Sequence, residues 1–298
     1  MFNEWFIFAL LSPAIFAVVN LLDDNLLKHL YRTPFFGAII SGFLGLLPLL
    51  GLFFFPFQMP PLFIIFLALG SGFLTIIYYF YYFKALEVEV PSIVVALFAW
   101  TSAITPFLAH FLLGEKLSVN EIVGFIIVLS ASIALSVTDI KRFRFSKAFY
   151  LIFFASTIYA IVAILQKTVY EQVDFFSGYV FFATGLSLGS LFLSIVFKEG
   201  RKFYGNLKKI FKKWFGVLLL VEIVGIAAEL TNNLAISKGS VSLVKVVEGI
   251  QPMIVLLFAL LLYPFLPKYF REAAEGEKIK KFILMGIIVV GLYFIQMG

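Results

Sequence analysis

The feature that most constrains this chain is a succession of apolar segments, each about 20 residues long, that fills nearly its whole length. A helix needs roughly 20 mostly apolar residues to cross a bilayer core of about 30 Å. Ten segments meet this requirement, at residues 5–22, 35–55, 61–84, 91–113, 120–138, 147–167, 175–197, 214–236, 240–263 and 281–297. The sequence therefore predicts an all-α, polytopic protein of the cell membrane with ten transmembrane helices, in contact with membrane lipids.

Composition excludes the main competing classes. Apolar residues make up 62% of the chain and charged residues 13%, whereas a soluble chain averages about 45–50% and about 25%. The period-2 alternation of a transmembrane barrel is absent, so the spans are predicted to be helices. With no cysteine and two histidines, a metal site built from thiolate and imidazole is not expected. We predict no metal and no cofactor.

Basic residues are concentrated in the predicted loops, where lipid phosphate is a simpler partner than nucleic acid. Nineteen of the 23 Lys and Arg residues fall in loops that follow odd-numbered spans. The positive-inside rule places these loops in the cytoplasm and both termini outside. The loop Gly200–Gly216, in which Lys alternates with Phe, Tyr and Trp, is interpreted as an interfacial anchor.

An internal repeat organises the chain. At a shift of 150, Ala85–Leu112 matches Ala235–Leu262 with six identities in 28 positions, and a shift of 143 places Phe16-Ala17 on Tyr159-Ala160. Each half then holds five spans, residues 1–140 and 141–298, with the seam at Asp139 to Lys147. Because five is odd, the two copies enter the membrane in opposite directions and form an inverted repeat. In transporters built this way, the substrate site lies near the bilayer midplane between the halves.

The motifs KALEVEVPSIVVALF and FLLGEKLSVNEIVGFIIVLSASIAL resemble the signature of EamA-type transporters of the drug/metabolite transporter superfamily. In that family a short A-L-x5-S turn, a span, an L-G-E-[KR]-L turn and a closing span led by Gly recur in each half. The Pro that follows the Ser by ten residues is present as Pro252, but its first-half position is Ser102, and the second half lacks the G-E-[KR]-L turn. The resemblance implies a membrane transporter with cytoplasmic termini, whereas the distribution of basic residues predicts that both termini lie outside.

Charged residues inside the apolar segments indicate a functional site. A central charge costs at least about 2.5–3.5 kcal/mol on insertion scales, so such residues face protein or water. In the ninth segment Lys245, Glu248 and Pro252 share one helical face, since they are three and four residues apart. Glu222, Glu229 and the pair Asn232-Asn233 form a similar stripe in the eighth segment.

The two polar stripes are predicted to line a cavity whose opposite wall is aromatic and aliphatic. The first-half counterparts of Asn232, Lys245, Glu248 and Gln251 are Tyr82, Val95, Phe98 and Thr101. The predicted substrate-binding residues are Glu229, Asn232, Asn233, Lys245, Glu248, Gln251, Trp100, Tyr78, Tyr82, Asn20 and Gln166, and the predicted proton-coupling residues are Glu248, Glu229 and Glu222. The alternative is an ion-pair cluster that only holds the two helices together. Asp23 and Asp24 are expected to be exposed at a helix end.

These patterns favour a secondary transporter, and more specifically an exporter, of a small amphipathic metabolite or drug-like solute. The expected mechanism is alternating access driven by a solute or proton gradient. A lipid-modifying intramembrane enzyme and a lipid scramblase are the alternatives, and no motif for a nucleophile or a metal favours the enzyme. The spacing of Gly185 and Gly189 suits close helix packing or a dimer, so both a monomer and a homodimer are compatible with the sequence.

Overall fold

A computed structural model describes residues 3–26, 33–89, 94–95, 97–136, 147–262 and 278–297. Over these residues the chain is helical and contains no β-strand. The α-helices are α1 (Glu4–Leu26), α2 (Pro34–Leu44), α3 (Leu62–Leu86), α4 (Ala99–Leu113), α5 (Val119–Ser136), α6 (Lys147–Tyr170), α7 (Phe175–Val196), α8 (Lys198–Lys238), α9 (Val241–Glu248), α10 (Gln251–Leu262) and α11 (Lys278–Met297). A 3-10 helix, Leu47–Phe53, follows α2.

The membrane class predicted from the apolar segments is confirmed. Within the described ranges, six helical segments are long and apolar enough to cross a bilayer, namely Pro34–Phe53, Leu62–Leu86, Lys147–Tyr170, Phe175–Val196, Phe215–Lys238 and Val241–Phe258. Four shorter apolar helices are Glu4–Asn20, Trp100–Leu113, Val119–Ala134 and Phe282–Met297. Their grouping into an inverted repeat stays a prediction, and its seam lies outside the described residues except for Lys147.

Local sequence sets the ends of several helices. Thr33 caps α2 by accepting a hydrogen bond from the backbone N–H of Phe36, and Asp174 caps α7 in the same way. At the start of α5, Ser118 and Glu121 exchange hydrogen bonds between backbone N–H and side-chain oxygen, which is a capping box. Gly114 ends α4 with a φ of 69°, a left-handed conformation that favours glycine.

Two predicted boundaries were wrong. The stretch Gly200–Gly216, predicted as a loop, is helical and belongs to α8, whose 41 residues correspond to about 60 Å at 1.5 Å per residue. This helix is therefore about twice as long as the bilayer core is thick. The ninth segment, predicted as one helix, is interrupted by a turn at Gly249–Ile250 between α9 and α10.

Helices from the two sequence halves interleave. α1 packs along α8, and α3 packs along both α6 and α7. α4 contacts α6 and α9, α2 contacts α7, and α5 pairs with α11. α3 and α7 approach closely because Gly72 and Gly185 face each other's backbone, so that a Cβ at either glycine would overlap a carbonyl oxygen of the other helix. The small-residue spacing in α7 is thus used for packing within one chain.

The outer surface of the bundle is apolar. Large exposed side chains include Phe63 and Phe66 on α3, Phe107 and Phe111 on α4, and Phe282 on α11. A monomeric soluble protein seldom exposes so much contiguous apolar surface. This surface suits contact with lipid, while the polar groups described below lie inside the bundle.

Candidate functional site

Four side chains form a closed cycle of hydrogen bonds, here called the lysine ring: Lys245, Glu248, Tyr159 and Asn232. The Nζ of Lys245 donates to Oε2 of Glu248 at 2.7 Å and to Oδ1 of Asn232 at 3.2 Å. The hydroxyl of Tyr159 donates to Oε1 of Glu248 at 2.9 Å and accepts from Nδ2 of Asn232 at 3.2 Å. The ammonium group also lies 3.7 Å from the centroid of the Tyr159 ring. Every polar group in the cycle therefore has a partner.

Burial explains why this cycle has to be complete. The Lys245 side chain is 0% exposed and that of Glu248 is 12% exposed. A buried charge without a partner costs several kcal/mol, and here the two opposite charges are in direct contact. The spacing of three residues on α9 puts both groups on one helical face, while Asn232 comes from α8 and Tyr159 from α6.

A cavity adjoins the lysine ring, and we call it the lysine cavity. The space open to the centre of a water molecule is about 40 Å³, enough for a few waters. The described residues lining it are Phe16, Asn20, Tyr78, Tyr82, Val95, Phe98, Thr101, Ser102, Tyr159, Lys245, Glu248, Gly249, Gln251 and Pro252. Charged and amide groups on α9 and α10 thus share one cavity with aromatic and aliphatic groups on α1, α3 and the segment before α4.

A second cavity, the acidic cavity, contains Asp23, Glu222 and Glu229 in its wall. The space open to a water centre is about 60 Å³. It shares Phe16, Asn20, Tyr78 and Tyr82 with the lysine cavity, so the two are adjacent. The other described lining residues are Val19, Ser41, Gly45, Tyr79, Phe83, Tyr179, Leu186, Val221, Gly225 and Ile226.

The carboxylates of the acidic cavity receive hydrogen bonds from neutral groups. Asp23 accepts from the hydroxyl of Tyr82 at 3.3 Å, and Glu222 accepts from the hydroxyl of Ser41 at 3.0 Å. Glu229 accepts from Nδ2 of Asn233 at 3.1 Å and from the hydroxyl of Tyr79 at 3.4 Å. A hydroxyl bound to a carboxylate usually lies at 2.5–2.7 Å, so these contacts are long.

One end of the bundle is held together by a polar cluster, here called the end clasp. The carboxylate of Glu115, which follows α4, accepts hydrogen bonds from the backbone N–H groups of Val241 and Ser242 and from the hydroxyls of Ser240 and Ser242, at 2.6–3.2 Å. A negative group is stabilised at a helix N-terminus, here that of α9. Close by, Lys167 of α6 donates to the carbonyl oxygen of Gly239 at 2.9 Å.

Most of the predicted site residues come together. Asn20, Tyr78, Tyr82, Lys245, Glu248 and Gln251 line the lysine cavity, Glu222 and Glu229 line the acidic cavity, and Asn232 belongs to the lysine ring. Asn233 lies behind the acidic cavity, where it bonds Glu229 and accepts from the hydroxyl of Tyr170 at 2.6 Å. Substrate binding and proton coupling by these residues stay predictions.

Two predicted residues lie elsewhere. Trp100 is 37% exposed and packs edge-on against Phe149 and Phe153 on α6, away from both cavities. Gln166 is buried, lines neither cavity, and its amide nitrogen and oxygen have no hydrogen-bond partner among the residues that the structure describes. On α6 it lies between Tyr159, at the lysine ring, and Lys167, at the end clasp.

Sequence reasoning missed three residues. Tyr159 is the hub of the lysine ring, and the alignment of Phe16 with Tyr159 was a signal, because both line the lysine cavity. Asp23, expected to be exposed, is only 7% exposed and lines the acidic cavity. The side chain of Asp24 lies outside the described residues. Glu115 was noticed only as part of a family motif, and no pattern in the sequence indicated that it reaches α9.

The side chains that line these cavities can bind polar groups and can carry charge. Carboxylates, one ammonium group, amides and phenols can bind a polar solute, and a carboxylate near water can take up or release a proton. Within the described ranges, no group of three or more His, Cys, Asp and Glu residues is arranged to hold a metal ion.

Comparisons with known proteins agree with this arrangement. Residues 3–137 match the model of the EamA-like transporter family. A solved structure titled "Crystal structure of protein" is similar over 99% of this chain and 96% of its own length, with a TM-score of 0.66 and 17% sequence identity, which shows a common fold alone. No curated protein matches the chain. The match over residues 3–137, a little under half of the chain, supports an EamA-type transporter of the drug/metabolite transporter superfamily, and the apolar helices are those of an integral membrane protein.

Proposed function

We propose that the chain is a secondary transporter that exports a small amphipathic metabolite or drug-like solute across the cell membrane by alternating access, coupled to protons. The observation that carries this proposal is the pair of adjoining cavities inside the bundle, lined by ionisable groups on membrane-capable helices. Such groups are expensive in hydrocarbon and typically mark substrate or ion pathways. A protein that used them only as a structural ion pair would need no adjoining cavity.

The proposal includes an inverted repeat of five helices per half, residues 1–140 and 141–298. The helix contacts support this repeat. We pair α1 with α6, α2 with α7, α3 with α8, α4 with the α9–α10 unit, and α5 with α11. Replacing each helix by its paired helix then turns one observed contact into another. Under this pairing, the α1–α8 contact corresponds to α3–α6, α1 with α9 and α10 corresponds to α6 with α4, and α2–α3 corresponds to α7–α8. Among the other contacts, α3–α7 corresponds to α2–α8, and α2–α7, α4–α9 and α5–α11 each correspond to themselves, as expected for two units related by a two-fold axis.

The same contacts indicate which helices move together. α8, α9 and α10 each pack on α1, and α3 and α4 each pack on α6. Each group contains helices from both halves of the sequence. The lysine cavity lies between the two groups, since both contribute lining residues. We therefore propose that these two mixed groups, rather than the intact sequence halves, rock against each other.

In this proposal the end clasp holds one end shut. Glu115 follows α4 in one group and binds the N-terminus of α9 in the other. Lys167 on α6 likewise binds the carbonyl oxygen of Gly239, next to α9. Opening this end separates the groups, so both contacts break. The buried amide of Gln166 has no hydrogen-bond partner within the described ranges. It lies between the clasp and the lysine ring along α6 and gains water or substrate as a partner when the clasp opens.

Proton coupling is assigned to Glu248, Glu229 and Glu222, because these carboxylates line cavities that are large enough to hold water. Lys245, whose Nζ lies 2.7 Å from Oε2 of Glu248, tunes Glu248 or holds a carboxylate of the solute. Asn232 and Gln251 orient polar groups of the solute. Membrane lipids surround the bundle, and the functional unit is a monomer or a homodimer.

The test is transport by the purified protein in liposomes. A pH gradient across the liposome membrane should drive saturable uptake of an amphipathic test solute, which is recovered unaltered inside. The double variant Glu229→Gln, Glu248→Gln should abolish gradient-driven uptake. Glu199→Gln, the same change at an exposed position of α8, is the matched control. Full activity of the double variant would remove these carboxylates from the mechanism, and a chemically altered product or non-saturable lipid transfer would favour an enzyme or a scramblase.

A further inference from the structure

Two buried carboxyl groups of the acidic cavity form no salt bridge with any residue that the structure describes. Asp23 is 7% exposed and Glu229 is 3% exposed. The hydrogen bonds they accept come from the neutral side chains of Tyr82, Asn233 and Tyr79, and both contacts from a tyrosine exceed 3.2 Å. No Lys, Arg or His is among the described residues that line this cavity. The described lining of this cavity therefore offers Asp23 and Glu229 no basic side chain.

The buried lysine makes no salt bridge with Asp23 or Glu229. Nζ of Lys245 is bound to Glu248 and Asn232 and lies over the ring of Tyr159. These three contacts occupy the ammonium group, and its charge is balanced by Glu248. A cation that pairs with Asp23 or Glu229 has to come from outside this ring.

An independent observation points to a ligand in the same cavity. Tyr78 and Tyr179 line it with side chains that are 9% and 2% exposed. Neither hydroxyl makes a hydrogen bond to the part of the chain that the structure describes, although Tyr79 and Tyr82 beside them do. Neither hydroxyl oxygen is fully enclosed by protein, and both tyrosines line the cavity. A polar molecule bound there can therefore supply the hydrogen-bond partners that these hydroxyls lack.

We infer that the acidic cavity binds the ammonium head of an organic cation whose apolar body extends into the lysine cavity. This inference rests on the proposed transport function and names the class of its substrate. An ammonium group donates N–H bonds to Asp23, Glu229 and the free phenol oxygens. Tyrosine ring faces add cation–π attraction, an arrangement the protein already uses between Lys245 and Tyr159.

The dimensions agree with this mode of binding. The space of about 60 Å³ for water centres holds about four waters, which is room for an ammonium group and its first carbon atoms. Phe16 and Tyr78 line both cavities, so a ligand that spans them passes between two aromatic side chains. A primary amine on an aromatic ring has this combination of charge and apolar surface.

The experiment uses the purified full chain in lipid nanodiscs and three probes of similar shape: benzylamine, benzyl alcohol and phenylacetate. Equilibrium binding is measured by calorimetry. Benzylamine should bind at least tenfold more tightly than benzyl alcohol, because a hydrogen bond to a charged group is stronger than one between neutral groups. Phenylacetate should show no binding. Equal affinity for the amine and the alcohol, or preference for the anion, would overturn the inference.

Variants connect binding to the cavity. Glu229→Gln should weaken the affinity for benzylamine about tenfold and leave the affinity for benzyl alcohol unchanged. Tyr179→Phe, which keeps the ring and the fold, should weaken the affinity for benzylamine several-fold. The control Glu199→Gln should bind all three probes like the parent protein. Unchanged affinity for benzylamine in both cavity variants would refute the site.

The binding assay and the transport assay distinguish failure of the cation site from failure of the transport proposal. Amine binding in nanodiscs together with absence of flux in liposomes would uphold the cation site and refute the transport proposal. Saturable flux of a neutral or anionic solute by a protein that does not bind benzylamine would uphold transport and refute the cation site.

Discussion

The lysine ring offers the sharpest test of how the buried charges are stabilised. Replacing Glu248 by Gln preserves the shape of the side chain but leaves the ammonium group of Lys245, which is 0% exposed, with Asn232 and the face of Tyr159 as its contacts. Removing one partner of a buried ion pair typically costs about 3–5 kcal/mol. We expect Glu248→Gln to lower the free energy of unfolding by about that amount.

The companion change removes both charges. In Lys245→Met, Glu248→Gln the methionine fills the volume of the lysine stem, and the glutamine still accepts a hydrogen bond from Tyr159. Asn232 loses one donor, which costs about 1 kcal/mol. The double variant should therefore be more stable than Glu248→Gln alone by about 2–4 kcal/mol, since replacing a complete buried pair is often nearly neutral. This non-additivity is the signature of a charge pair.

Unfolding is followed by circular dichroism during titration with sodium dodecyl sulfate, and transport is measured in liposomes made from the same preparations. The exposed change Glu199→Gln should leave both readouts unchanged. A loss below about 1 kcal/mol for Glu248→Gln, or a double variant as unstable as the sum of the single changes, would refute a buried ionised pair. A stable double variant with normal transport would show that the ring only holds the helices together.

Three further outcomes follow from the packing. Glu115→Ala removes the carboxylate at the start of α9, which contributes about 0.5–2 kcal/mol as a helix cap. Because the chain has no cysteine, Gln166→Cys introduces a single reactive thiol. In the Glu115→Ala background this thiol should react several-fold faster with a membrane-impermeant maleimide, and an unchanged rate would contradict the clasp. Gly72→Ala should destabilise by about 1–3 kcal/mol through overlap with α7, whereas Gly70→Ala, with open space at its Cβ, should change the unfolding free energy by no more than about 1 kcal/mol. Tyr159→Phe keeps the ring face over the ammonium group but loses two hydrogen bonds, so unfolding titrations should show a loss of about 1–3 kcal/mol, and parent-like stability would argue against the cycle.

The sequence by itself determined the class of protein and much of the chemistry of the site. Apolar segments of bilayer length exclude every soluble fold, and backbone groups in lipid have to be paired within each helix. Charges placed among apolar residues have to face the interior of the bundle, which is why Lys245, Glu248 and Glu229 could be named in advance. The repeat alignment also indicated the opposite wall, since Tyr82, Val95, Phe98 and Thr101 line the lysine cavity.

Only the tertiary structure decided which neutral residues take part. In a membrane protein, the side chains facing lipid and those facing the bundle are both apolar or aromatic, so periodicity does not separate Trp100, on the outside, from Tyr159, at the centre of the ring. Long-range contacts are equally hidden: Glu115 reaches α9 across 126 positions of sequence, and Asp23 is buried where α1 packs along α8 and receives a hydrogen bond from Tyr82 of α3. These positions depend on how helices from both halves interleave, and local sequence does not encode that arrangement.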